Sequence, residues 1–158
     1  MRPGGSVLGL LLFATLAIAD AESEHTLVGT WRFDPVASRF DGGAPYQSGL
    51  TRFTTRPSCI HVAVEILEAR GAPLRFEYCD PRDGTYVPVQ GNPFYDSEST
   101  RWPDSRTAIR TEKRGTQVIG TTTMSVAADG NTYTATSDRL RPDGVRYTSV
   151  IVWRRVHE

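Results

Sequence analysis

A net excess of positive or negative charge is the first thing missing. The chain has 158 residues, 18 basic and 18 acidic, so its formal net charge at neutral pH is zero. That excludes a nucleic-acid binder working through bulk positive charge. It equally excludes a polybasic membrane-surface protein. Cysteine is scarce: two residues cannot build a Cys-rich scaffold or a four-cysteine zinc module. The apolar run near the N-terminus, at 7–19, has thirteen residues without a charge. A membrane-spanning helix needs roughly 20. Sustained helical periodicity is absent after residue 22. Catalytic signatures are missing too: no G-x-S-x-G, no H-E-x-x-H and no phosphate loop. Of the three histidines, His25 and His157 lie near the chain ends and read as exposed. A hydrophobic fraction of 39% still excludes a disordered chain.

What is present begins with an address. Arg2 precedes the apolar run, and two A-x-A patterns follow, Ala17-Ile18-Ala19 and Ala19-Asp20-Ala21. One positive charge, a short apolar core and small residues at its exit make a secretory signal peptide over 1–21. Cleavage after Ala19 or Ala21 is expected. Residues 22–158 then form one domain, secreted or periplasmic, with no stable membrane insertion.

The rest reads as strands and turns. Alternating segments fall at 27–33, 49–55, 58–67, 74–79, 84–89, 107–113, 117–127, 132–140 and 146–156. Asp34-Pro35 resembles an N-cap with proline at N1, which predicts a short helical turn within 34–40. Residues 91–106 hold Pro93 and Pro103, which cannot donate ladder hydrogen bonds, and read as irregular: loop, edge or bulge. Asp129-Gly130 and Asp143-Gly144 are hairpin signals. The expectation is an all-β, antiparallel, up-and-down barrel of about 8–10 strands. Closure would remove the two edges that an open meander leaves exposed. A sandwich is the competing architecture.

Three segments carry a family resemblance. They are Gly29-Thr30-Trp31, then 34–40 (Asp-Pro-x-x-Ser-x-Phe), then 86–93 (Tyr-x-Pro-Val-x-Gly-x-Pro). In that order they resemble small secreted bacterial lipocalin-like proteins, within the wider calycin barrels. The resemblance implies a lipocalin-like barrel with the tryptophan at one end and a far-strand arginine across it. Gly29, Trp31 and either Arg154 or Arg155 are the matching closure residues. Trp31 is read as holding the fold, not a ligand.

Site candidates follow from alternation. Ile60, Val62, Val64, Phe76, Tyr78, Val118, Met124 and Val126 share the inward faces and would wall a cavity for a small apolar or amphipathic ligand. Filling of a solid core by the same residues is the competing reading. Cys59 and Cys79 lie on opposite arms of one hairpin with matching parity, which predicts a disulfide in an oxidising compartment. A metal site on Cys59, His61 and Cys79, with Glu65 or Glu77 as a fourth ligand, is the rival. Phe94, Tyr95 and Trp102 in the 91–106 loop would be a protein-partner surface. The favoured function is a non-catalytic carrier of a small ligand, without cofactor. An envelope inhibitor or assembly factor and a metal-binding protein are the alternatives.

Overall fold

The structure, a computed structural model, describes residues 24–41 and 46–157. The signal peptide expected over 1–21 therefore lies outside the described residues, as do residues 42–45. Among the described residues, ten strands form one sheet: β1 (Gly29–Phe40), β2 (Tyr46–Arg56), β3 (Cys59–Glu68), β4 (Pro73–Asp80), β5 (Val87–Pro88), β6 (Ser97–Asp104), β7 (Thr107–Arg114), β8 (Gln117–Val126), β9 (Thr132–Leu140) and β10 (Arg146–Arg155). Their order is β4-β3-β2-β1-β10-β9-β8-β7-β6-β5, and all paired neighbours are antiparallel. The first strand zips onto the last, with Trp31 opposite Arg155 and Phe33 opposite Trp153. At the other seam, β4 meets the chain after β5 through a single bridge, Glu77 to Gln90. The barrel is nearly closed, and one sheet curls onto itself rather than splitting into the two layers of a sandwich.

Period-two alternation explains β3 and β4 directly. Ile60, Val62, Val64 and Ile66 are buried, as are Leu74 and Tyr78. Their inward faces join Phe33, Phe53, Tyr133 and Trp153 in one core. Tyr133 and Trp153 stack at 5.7 Å between ring centroids.

Backbone irregularities correct one expectation and narrow another. No helical turn follows the first strand among the described residues. The β1–β10 register jumps from Asp34 opposite Val152 to Arg39 opposite Val150, so residues 35–38 form a wide bulge. Asp34 behaves like a cap: its Oδ1 accepts hydrogen bonds from the Val36 and Ala37 amides at 3.1 and 3.0 Å. Ser38 ties the bulge back, receiving the Val152 amide at 2.9 Å. Capping chemistry is thus used to satisfy a bulge whose ends remain in the sheet. The 91–106 segment is not all loop, because Ser97–Asp104 is β6. Pro103 falls where the β6–β7 register shifts between Arg101 and Asp104, so its missing N–H breaks no regular rung.

One barrel end is plugged. Trp31 has no exposed surface and donates its indole N–H to the Leu27 carbonyl at 2.7 Å. The Arg155 guanidinium lies 4.1 Å from the Trp31 ring centroid. It donates to the carbonyls of Gly130, Val28 and Thr26 at 2.6, 2.9 and 2.5 Å. Gly29, at φ +133°, lets it approach; a Cβ there would collide with Arg155 Nη1. Arg154 instead points to Asp34, at 2.9 Å. His25 is buried in the same plug, not exposed as its position near the chain end suggests. Its Nδ1 accepts the Leu27 amide at 3.1 Å, and its Nε2 donates to the Thr107 carbonyl at 3.2 Å. His157 is exposed.

Candidate functional site

A cavity of about 70 Å³ opens inside the barrel, lined by strand residues and by Asn92, Phe94 and Tyr95 of the connection joining β5 to β6. One water occupies roughly 10–15 Å³ on this measure, so the space holds a handful of waters or a few ligand atoms. Its apolar wall includes Val62, Val64, Phe76 and Met124, four of the residues assigned to it by alternation. Ile60, Tyr78 and Val126 are buried but do not line it. Phe53, Ile66, Leu74, Ala135, Ile151 and Trp153 also line it.

Val118 is a correction. It is 52% exposed. Glu112 pairs with Gly120 but Lys113 pairs with Val118, so Ile119 is an extra residue in β8. That one-residue bulge flips the alternation, and Ile119 is buried instead.

The aromatic partner surface is also corrected. Tyr95 is only 4% exposed, and its ring packs edge-on to Phe76. Phe94 is half-buried and lines the cavity. Trp102 donates to Asp80 Oδ2 at 3.0 Å and meets His25 edge-on at 4.5 Å. All three face inward, where aromatic area is removed from water, so they present no solvent-facing anchor cluster.

Cys59 and Cys79 form a disulfide with Cα atoms 5.6 Å apart. His61 sits opposite Cys79, so the bridge runs diagonally between β3 and β4. No thiolate remains to ligate a metal, and the proposed Cys59, His61, Cys79 ligand set does not exist. His61 pairs with Glu77 at 3.1 Å instead, and Glu65 with Arg75 at 3.5 Å.

On the polar side of the cavity, alternation along β8 points to Thr122, in step with Met124 and Val126, and does not single out the arginines beside it. Arg110 from β7 and Arg139 from β9 line it, beside Thr122 and Ser137. Glu112 joins them, accepting from Arg110 Nε at 2.9 Å and from Arg139 Nε and Nη2 at 2.6 and 2.7 Å. Thr122 donates to Glu112 at 3.1 Å and shares a 2.8 Å hydrogen bond with Ser137. Gly120 makes room: a Cβ there would lie 2.6 Å from Arg139 Cγ and 3.0 Å from the Asp138 carbonyl. Each guanidinium has five N–H groups, so both retain donors beyond those given to Glu112. Burial pushes the Glu112 carboxyl up, but the adjacent Arg139 and Arg110 outweigh it and hold it down at about 2. Glu98, directly opposite Glu112 across β6 and β7, has no exposed surface either. Burial, with Asp80 and Glu112 adding to it, pushes its carboxyl up to about 7 against the pull of Arg110 and Thr100. The readable signal for this cluster was an Arg110–Glu112 pair two apart on one strand face, but Ile109 made the opposite face look like the apolar one.

The fold and site define an all-β, antiparallel, nearly closed barrel, ten-stranded among the described residues. A solved structure similar to it is the zebrafish ileal bile acid-binding protein complexed with cholic acid. The match has a TM-score of 0.50 and 9% identity, and covers 83% of this chain and 99% of that one. At that identity the likeness speaks for the fold alone. No protein-family model matches the sequence, and no curated protein matches it.

Proposed function

We propose that the protein is a non-catalytic carrier or sequestering protein for a small amphipathic ligand held inside the barrel. The observation carrying this reading is the two-sided cavity: an apolar wall faced by the Arg110 and Arg139 guanidiniums. The ligand's chain packs on Val62, Val64, Phe76 and Met124. Its polar end, an acid or another hydrogen-bond acceptor, takes the donors that Glu112 leaves. The similar bile acid-binding barrel supports a small-molecule role for this shape. The volume limits the ligand, since drug-sized pockets run to roughly 300–1,000 Å³. Anything beyond a few atoms must displace a side chain, and Phe94 is suited to move because it reaches the cavity from a connection, not a strand.

The protein works outside the cytoplasm in this reading. The signal-peptide pattern over 1–21 and the Cys59–Cys79 disulfide support that. Native mass spectrometry of the protein from its source tests the function. The expected result is a released adduct of one small amphipathic compound per chain. A bare chain that also fails to take up short-chain amphipaths would contradict it.

A further inference from the structure

The interior charges do not balance in a fixed way. Arg110 and Arg139 face the cavity, and Glu112 bonds to both. Two guanidiniums and one carboxylate leave one positive charge. Glu98 is the group that decides whether that charge survives. Its Oε2 accepts from Thr100 Oγ1 at 2.8 Å, while its buried Oε1 has no partner among the described residues. An ionised carboxylate with one oxygen orphaned away from water is costly, and a protonated one much less so.

The groups around Glu98 come from several elements. Tyr78 and Asp80 act on it from β4, Tyr95 from the connection before β6, and Arg110 and Glu112 from β7. Arg139 on β9 reaches it only through Glu112. The tyrosines stay neutral, because burial pushes both hydroxyls up. Asp80 is satisfied by the Arg82 amide at 2.8 Å and by Trp102 at 3.0 Å. Arg110 is the sole cation among these neighbours. Glu98 and a bound anion would therefore compete for the same guanidinium charge.

We infer that Glu98 sets the charge selectivity of the cavity: a monoanionic amphipath, a carboxylate or sulfonate, binds only while Glu98 carries its proton. With the proton on, the anion neutralises the single surplus charge. With it off, the cluster is already neutral, and an added anion would be buried uncompensated. Glu98 does not line the cavity; it acts through Arg110. The selectivity rests on the carrier reading, and it places the changeover near neutral pH, because the Glu98 carboxyl is raised to about 7.

Two probes separate this inference from the carrier reading. Hexane-1-sulfonate keeps its charge between about pH 5.5 and about pH 8.5, and hexan-1-ol has none. Calorimetric titration of the purified protein should give a sulfonate affinity that falls about tenfold per unit above pH 7, with hexanol flat. Glu98→Gln should hold the sulfonate affinity at its acid-side level throughout. The unaltered protein, weakly buffered near pH 7, should take up about half a proton per sulfonate bound. Sulfonate affinity independent of pH, the same pH dependence in Glu98→Gln, or no proton uptake would overturn the inference. Hexanol binding without sulfonate binding at any pH would overturn it and leave the carrier reading standing. Binding of neither probe would overturn both.

Discussion

Two buried glutamates face each other and pull stability in opposite directions. Glu98 has its carboxyl raised from 4.5 to about 7, so the folded protein keeps a proton that the unfolded chain releases. Its contribution is fully present below about pH 4.5 and is lost as pH rises through 7, at up to about 1.4 kcal/mol per unit. Glu112 is held at about 2, so its contribution is present above 4.5 and lost as pH falls through 2. Urea unfolding at about pH 5 and about pH 8 checks this: Glu98→Gln should remove most of the loss seen on going to pH 8, roughly 1–3 kcal/mol. An equal loss in the variant would contradict the assignment. Arg155 makes a second residue-level claim. Arg155→Ala leaves the carbonyls of Gly130, Val28 and Thr26 without their donor and bares the Trp31 face. The expected destabilisation is about 3 kcal/mol, and Arg155→Lys should recover only part of it, because an ammonium cannot fork over an indole. Thermal unfolding of both variants reads the difference.

The hairpin of β3 and β4 makes its claims through the disulfide and the alternating wall. Replacing both cysteines by serine should lower stability by roughly 3 kcal/mol without changing the far-ultraviolet circular dichroism. An unchanged melting temperature would mean the bridge constrains nothing. The connection between β5 and β6 carries the other claim. Arg114 holds it by donating to the Phe94 carbonyl, and Asp96 accepts the Gly115 amide at 2.7 Å. Phe94→Ala should enlarge the cavity and speed uptake of longer amphipaths about tenfold, a change of about 1.4 kcal/mol in the barrier, read by stopped-flow fluorescence. These two segments also mark what sequence can reveal. β3 and β4 were readable because their inward positions are unbroken β-branched and aromatic residues at period two. β6 was not, because its inward positions carry Glu98 and Thr100 and it contains a proline. Val118 was misplaced because a one-residue bulge at Ile119 leaves no signature in composition. Asp34-Pro35 reads as a helix start because the side chains that cap a helix cap a bulge equally well. Arg110, Glu112 and Arg139 were missed for a different reason: charge on an inward face looks like solvent exposure until the partner strands are known.

Taken together, the strands make a container with one plugged end and a small two-sided interior. The chain is neutral overall, while inside the barrel two arginines outnumber the ionised carboxylate between them. The intact mass of the protein recovered from its source should begin at Asp20 or Glu22, matching the two A-x-A patterns. The interior can be closed without touching the arginines, because Ala135 lines the cavity from β9 and is 7% exposed. The decisive measurement is a calorimetric titration of hexane-1-sulfonate, at about pH 5.5, into the unaltered protein and into an Ala135→Phe variant of unchanged circular dichroism. Saturable one-to-one binding, weakened at least about tenfold in the filled variant, is the expected result. Equal binding by the two proteins, or none by either, would contradict an interior ligand site.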